Sequence, residues 1–135
     1  MISSVQGKIA IPFRSSYAAS KHALIAFSDT LRAELANTNI KVCVVSPGYI
    51  KTNLSVNAVT GDGSNYGILD STTASGLSPD KVARSIALSI LKNDKEVLLC
   101  PSIHKLAIFL RIISPGLYFY IMKRRAIKEN KSKNN

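Results

Sequence analysis

The sequence predicts an α/β domain built on a parallel sheet, and two observations lead to this class. First, 46% of the 135 residues are apolar and 19% are charged, a balance that allows one chain to bury a core. Second, segments with helical apolar spacing alternate with short, unbroken apolar runs. This alternation is typical of the right-handed crossovers that join parallel strands.

A long helix is predicted for residues 16–39, after a short strand around Ile2. Its apolar residues recur every three or four positions, as on the buried face of an amphipathic helix. The predicted buried face holds Leu24, Phe27, Leu31 and Leu35. The predicted exposed face holds Ser28, Asp29 and Arg32. Asn37 and Asn39 are expected to end the helix.

The next residues are predicted to form a buried strand and then a long loop, residues 49–77, which we call the excursion. Residues 42–45 form an unbroken apolar run, as expected of a parallel strand that is covered on both faces. Pro47 and Gly48 end this run. Residues 49–77 are rich in Gly, Ser, Thr and Asn and show little periodicity. We therefore expect a partly irregular loop there, of the kind that often carries function.

A second helix and a second strand follow the excursion. Ser78 is a suitable N-cap, with Pro79 at the first helical position. The predicted buried stripe of this helix consists of Val82, Ala83, Ile86, Ala87, Ile90 and Leu91. Residues 96–101 then predict a short strand that Pro101 closes.

The cysteines and histidines show no metal-ligand spacing. Cys43 and Cys100 lie within or at the end of apolar runs, where a reduced thiol behaves as a small hydrophobe. A disulfide or a reactive thiol is the alternative. His22 and His104 are isolated, which is typical of surface or boundary residues. Without a recognisable signal peptide, a reducing, cytosol-facing environment is expected.

Tyr17 and Lys21 form the pair that is most suited to chemistry. They are four residues apart on a predicted helix, so their side chains share one face. An ammonium beside a phenol favours the phenolate and eases proton exchange near neutral pH. A hydroxyl such as that of Ser4, at the end of the preceding strand, would hold a carbonyl oxygen against the phenol. On its own, a Tyr and a Lys at this spacing are more often an ordinary surface pair.

Further residues join this pair into a larger pattern. They are Ser4, Gly7, Pro12, the YAASK of residues 17–21 and the VSPGYIKTNL of residues 45–54. Together they resemble the second half of the short-chain dehydrogenase/reductase family, over essentially the whole chain. The resemblance implies the C-terminal half of a Rossmann-like, doubly wound parallel sheet, without the N-terminal dinucleotide-binding βαβ units. It also implies an oxidoreductase that uses NADP or NAD, with NADPH favoured, to interconvert a carbonyl and an alcohol.

The resemblance implies a role for each matching residue. Tyr17 would be the general acid in carbonyl reduction and the base in alcohol oxidation. Lys21 would assist Tyr17 and hydrogen-bond the nicotinamide ribose, and Ser4 would bind and polarise the substrate oxygen. The other cofactor contacts would come from Pro47, Gly48, the Ile50 backbone and Thr52. Members of the family pair through the Tyr-bearing helix, so a homodimer is expected.

Other parts of the family's pattern have no counterpart in this sequence. The glycine-rich turn that seats the cofactor pyrophosphate is absent from the 135 residues. The Asn-Ala-Gly segment, the catalytic Asn and the residue that selects NAD or NADP are absent as well. We therefore expect a truncated chain. A non-catalytic product that only dimerises or binds a membrane surface is the alternative function.

The excursion would supply the substrate lid, over about residues 53–77. Its apolar residues would suit a lipid-like or bulky carbonyl compound, or would simply pack the lid onto the domain. They are Leu54, Val56, Tyr66, Ile68 and Leu69.

The last 31 residues differ from the part before them, and we divide the chain into a catalytic part, 1–104, and a tail, 105–135. Eight of the 18 Lys and Arg residues lie in the tail, with one of the 8 acidic residues. Arg111 and the Pro115-Gly116 break divide residues 106–122 into two apolar pieces, each below the roughly 20 residues of a spanning helix. We expect attachment to one leaflet of a membrane. Burial against a dimer partner is the alternative, and nucleic acid is not an expected partner.

The ending KSKNN also matches a dilysine signal of the endoplasmic reticulum. The expected location is the cytosolic face of the endoplasmic reticulum or peroxisomal membrane, and otherwise the cytoplasm. The last three residues are not the peroxisomal SKL signal.

Overall fold

The computed structural model describes residues 1–133, and it confirms the predicted order of the elements. A short 3₁₀ turn and a first helix precede the first strand, and a short helix and a longer one separate it from the second strand. The two tail helices follow. The elements are the turn Val5–Gly7, α1 Ser15–Glu34, β1 Val44–Pro47, α2 Ser71–Ala74, α3 Pro79–Lys92, β2 Glu96–Leu99, α4 Ser102–Ile113 and α5 Pro115–Lys133.

The sheet is parallel, as predicted, and β1 lies at its centre. β1 pairs with β2 in register from Val44–Glu96 to Pro47–Leu99. On the other side of β1, Ile2 bridges Val45 in parallel, with a hydrogen bond of 2.8 Å from the Ser3 N–H to the Val45 carbonyl. All four residues of β1 are buried. The central position therefore explains the unbroken apolar run.

The buried face of α1 differs from the predicted one. Ala18, Ile25 and Ser28 are buried, whereas Phe27 is 58% exposed. The 3₁₀ turn packs so closely on α1 that a Cβ at Gly7 would lie 2.7 Å from the Lys21 carbonyl oxygen. The Ile25 side chain and the Lys21 carbonyl therefore face the turn. The Ser28 hydroxyl is satisfied within the helix, because it donates to the Leu24 carbonyl at 2.6 Å.

The start of α3 was predicted correctly, but its buried stripe was not. The Ser78 hydroxyl accepts from the Lys81 N–H at 3.3 Å, and Pro79 is the first helical residue. Val82 is buried, as expected. Ile90 and Leu91, however, are 64% and 78% exposed, because the sheet of the described residues consists of two four-residue strands and is too small to cover the whole helix.

The tail folds as two helices that meet at Ser114, in agreement with the predicted break. Tyr118 of α5 is 2% exposed and packs against Val5 and Ile9, so the tail contributes to the core. Among the residues that the structure describes, no helix is both long enough and apolar enough to cross a membrane.

We predict that Gly7→Ala destabilises the protein by about 1–3 kcal/mol, because the new methyl group would overlap well-packed neighbours. A Cβ there would lie 2.6 Å from the Ser3 hydroxyl oxygen and 2.7 Å from both the Ile25 side chain and the Lys21 carbonyl. Gly61→Ala is the matched control, because nothing lies within 4 Å of its Cβ position. Chemical denaturation measures both variants. Equal stability of the two would contradict the close contact.

Candidate active site

Tyr17 and Lys21 lie one turn apart on α1, near the point where the first strand segment ends. The Lys21 ammonium is 5.6 Å from the centre of the Tyr17 ring. The same ammonium donates to the Ile2 carbonyl at 3.2 Å. The Tyr17 side chain is 37% exposed. The pair is therefore fixed to the sheet edge at Lys21 and open to solvent at Tyr17.

Two features before α1 set the position of its first turn. Phe13 has a φ of 61°, a left-handed conformation that a bulky residue seldom adopts, and it turns the chain into the helix. The Arg14 guanidinium then pairs with the Asp70 carboxylate at 2.8 Å. Because Asp70 is the N-cap of α2, this ion pair ties the start of the Tyr17 helix to the excursion.

The two serines that follow Ile2 have different roles in the fold. The Ser3 hydroxyl donates to the Lys21 carbonyl at 3.0 Å and holds the 3₁₀ turn against α1. The Ser4 hydroxyl accepts from the Gln6 N–H at 3.1 Å and caps the turn. A hydroxyl donates one hydrogen bond and accepts two. The cap therefore orients the Ser4 oxygen and leaves its proton for a further acceptor.

Residues 47–52 leave the carboxyl end of β1, beside the strand segment that leads to Ser4. The Gly48 N–H donates to the Leu99 carbonyl at 2.9 Å, and Ile50 bridges Leu77 in parallel. Thr52 is exposed. Its hydroxyl contacts the Ile50 carbonyl and the Leu54 N–H at 3.4 Å each, which is long for a hydrogen bond. The Thr52 hydroxyl is thus weakly held.

Tyr49, between Gly48 and Ile50, contacts the tail helices. Its ring centre is 6.3 Å from that of His104 in α4. Burial lowers the pKa of His104, and the charge of Arg125 in α5 lowers it further. Burial opposes the charge of Arg125, but hydrogen bonds to Glu129 and Tyr49 outweigh it and raise the pKa of Arg125. The 2.6 Å bond from Arg125 Nε to Glu129 holds the guanidinium in place.

The apolar residues of the excursion are largely exposed. Tyr66 is 37% exposed, Leu69 46%, Ile68 59% and Leu54 66%, and Val56 is half-buried. In the described part of the chain they cover no core, so they are available to an apolar ligand or to another protein surface.

Two grooves occur elsewhere on the molecule. One, of about 440 Å³, lies between residues 8–12 and the tail helices, and the other, of about 350 Å³, lies between α3 and β2. Neither is lined by Tyr17. Within residues 1–133 no three metal-ligating side chains cluster.

The sequence did not predict five residues that connect the segments of the site to neighbouring elements of the fold. These are Arg14, Tyr49, Asp70, Tyr118 and Arg125. All of them act over long sequence separations, such as the 108 residues between Ala10 and Tyr118. The local signal for Tyr118 was its place in an apolar segment, for which we predicted a membrane interface.

Comparisons with known proteins bear on this geometry. Residues 1–62 match the short chain dehydrogenase family. Dehydrogenase/reductase SDR family member 7B of Bos taurus is 57% identical over 134 residues, which are 99% of this chain and 41% of the bovine protein. The chain thus spans less than half the length of this relative.

Two solved structures share the fold. A short chain dehydrogenase from Burkholderia cenocepacia in complex with NADP superposes with a TM-score of 0.65 at 23% identity, over 90% of this chain and 45% of that one. A 4-hydroxyisoleucine dehydrogenase complexed with NADH gives a TM-score of 0.53 at 26% identity, over 73% and 42% of the two chains.

The parallel sheet and these superpositions define the chain as part of a Rossmann-type α/β protein. Its first 62 residues match the short chain dehydrogenase family. Over almost its full length it is similar to family member 7B.

We predict that His104 makes the stability of the protein depend on pH. Burial lowers its pKa below the ordinary value of 6.5, so below neutrality the unfolded chain binds more protons than the folded one. The free energy of unfolding should therefore fall as the pH decreases from about 7.5 through this window. Denaturation at several pH values should show a shallower fall in His104→Gln. The control His22→Gln should keep the full fall, and an unchanged slope in His104→Gln would contradict the assignment.

Proposed function

We propose that this chain carries the proton-transfer part of an NAD(P)-dependent oxidoreductase that interconverts a carbonyl compound and an alcohol. The observation that carries the proposal is the Lys21 ammonium, 5.6 Å from the centre of the Tyr17 ring. Ser4 follows the strand segment whose Ile2 carbonyl accepts from Lys21, so all three residues belong to one corner of the sheet. The family supports the same reaction class.

Tyr17, Ser4 and Lys21 have different roles in the proton transfer to or from one substrate oxygen atom. In carbonyl reduction, the Tyr17 hydroxyl gives its proton to the substrate oxygen while the Ser4 hydroxyl donates a hydrogen bond to that oxygen. The Lys21 ammonium stabilises the negative charge that remains on the phenol oxygen. In alcohol oxidation the phenolate takes the proton back. Such general acid–base catalysis contributes about 10²–10⁴-fold to a rate.

The residues after β1 and on α1 fit the nicotinamide half of NADP or NAD. The bound nicotinamide would supply or accept the hydride. Lys21 has two N–H donors besides the one that Ile2 accepts, and Thr52 has a weakly held hydroxyl. The further contacts would come from Tyr17, Pro47, Gly48 and the Ile50 backbone. The 135 residues contain no glycine-rich turn for the pyrophosphate. The NADP and NADH complexes of the two solved dehydrogenases support this cofactor class.

The substrate in this proposal is lipid-like. The exposed apolar residues of the excursion follow Thr52 directly, and the ion pair of Arg14 with Asp70 ties the excursion to the helix of Tyr17. A ligand held by the excursion would therefore lie near the phenol. Burial of its apolar surface would contribute about 25 cal/mol per Å².

A membrane surface is the proposed partner of the tail. Leu106, Phe109, Ile112 and Ile113 of α4 are 58–72% exposed, and α5 adds exposed aromatic residues and cations. Such helices lie in the headgroup region of a bilayer. The proposed membrane is that of the endoplasmic reticulum or the peroxisome. Asn134 and Asn135 of the KSKNN sequence lie outside the described residues.

A homodimer is the second proposed interaction. Phe27 is 58% exposed near the middle of α1, on the helix through which the family is expected to pair. A second copy of the chain would remove this ring from water. If no turnover occurs, dimerisation and membrane binding are the alternative function.

We predict that Tyr17→Phe lowers carbonyl reduction by at least about 100-fold, because the phenol proton is lost, while NADPH binding is retained. The assay uses the longest natural form of the protein together with the chain itself. Tyr120→Phe is the control, since Tyr120 is 56% exposed on α5. An unchanged rate in Tyr17→Phe would contradict the catalytic role of Tyr17. If neither the longest natural form nor the chain itself is active, the non-catalytic alternative is favoured.

We also predict that charge removal on α5 weakens binding to anionic vesicles. The triple variant Lys123→Gln, Arg124→Gln and Lys128→Gln leaves Tyr118 in the core. At about 1 kcal/mol per cation, its partition coefficient should fall about 100-fold at low salt. The control triple variant changes the exposed Lys41, Lys51 and Lys92 to Gln. Vesicle sedimentation measures both variants, and equal binding would count against membrane docking through the tail.

A further inference from the structure

Tyr118 of α5 reaches back to the segment that carries Ser4. Its side chain is 2% exposed and packs against Val5 and Ile9. Its hydroxyl donates to the Ala10 carbonyl at 2.5 Å, across 108 residues of sequence. Burial raises the pKa of Tyr118, so the phenol stays protonated and remains a donor.

The segment that Tyr118 holds has little stability of its own. It consists of the 3₁₀ turn Val5–Gly7 and the extended residues after it. The turn is closed by short-range bonds, from the Gly7 N–H to the Ser4 carbonyl at 2.8 Å and from the Lys8 N–H to the Val5 carbonyl at 2.9 Å. Such short turns depend on packing for their position. Here α1 packs on one side of the segment, and Tyr118 packs on the other together with apolar residues of α4 and α5. The Lys8 ammonium also pairs with the Glu96 carboxylate of β2 at 2.7 Å.

The same pair of helices contacts the second segment of the candidate site. A Cβ at Gly48 would lie 3.5 Å from Nδ1 of His104 in α4, and the next residue, Tyr49, has its ring centre 6.3 Å from that of His104. The α4–α5 pair thus contacts the chain after Ser4 and the chain after β1. These are the two places where the proposed catalytic and cofactor contacts arise.

We propose that the α4–α5 pair is a positioning element of the candidate active site, and that Tyr118 is the positioning residue for Ser4. The contact orients the turn whose N-cap is Ser4, and through it the hydroxyl that donates to the substrate oxygen. The effect of Tyr118 on catalysis rests on the proposed function. Its effect on the stability of the turn does not.

Hydrogen exchange on this chain tests the mechanical part. Tyr118→Phe removes the hydroxyl and keeps the ring, so the Gly7, Lys8 and Ile9 amides should exchange about fivefold faster, as the loss of one hydrogen bond predicts. Tyr120→Phe, on the same helix, is the matched control and should leave these amides unchanged. Unchanged exchange in Tyr118→Phe would overturn the proposal. An equal acceleration throughout α1 and α3 would also overturn it, because that result would mean a general loss of stability.

A double-mutant cycle tests the catalytic part in the longest natural form of the protein. Tyr118→Phe should lower kcat for carbonyl reduction about fivefold at unchanged NADPH affinity, and it should have no effect in the Ser4→Ala background. The same loss in both backgrounds would show that Tyr118 does not act through Ser4. If the unsubstituted protein reduces no carbonyl compound, the proposed function fails, and the exchange measurement alone decides the role of Tyr118.

Discussion

The close backbone contact between the 3₁₀ turn and α1 is the constraint on which the rest of the site depends. No Cβ fits at Gly7, because the Ser3 hydroxyl and the Lys21 carbonyl occupy its place. The Ser3 hydroxyl then hydrogen-bonds that same carbonyl. This contact brings the strand end that carries Ser4 against the helix turn that carries Tyr17 and Lys21. Ile25 of α1 also packs against the turn and is buried.

Around this contact the described chain has a small core and long open edges. Val44 and Val45 are buried between the neighbouring strand segments, while much of α3, α4 and the excursion remains exposed. The tail compensates in one place, since Tyr118 closes the core over Val5 and Ile9. The same tail presents apolar and cationic residues outward. In our proposals, this one element fixes the turn after Ser4 on one side and binds a membrane on the other.

The sequence predicted the order of the elements well because local signals set it. Ser78 and Pro79 determine where α3 begins, and the run before Pro47 determines β1. The faces of the helices were less predictable. Phe27 was expected inside, but Ile25 lies against the turn at Gly7 and the Phe27 ring is exposed. Tyr118 and Arg14 contact residues that are far from them in the sequence, and the spacing of residue types along the chain does not reveal such contacts. The roles of Tyr17, Lys21 and Ser4 stay predictions.

In the proposed function, Ser4 and Tyr17 act on the same substrate oxygen. The most direct measurement compares kcat/KM for carbonyl reduction in Ser4→Ala, in Tyr17→Phe and in the double variant, with the longest natural form of the protein. Residues that act as a unit show strongly non-additive losses. If the two side chains act as a unit, the double variant is no slower than Tyr17→Phe alone. A double variant whose loss equals the product of the two single losses would contradict it.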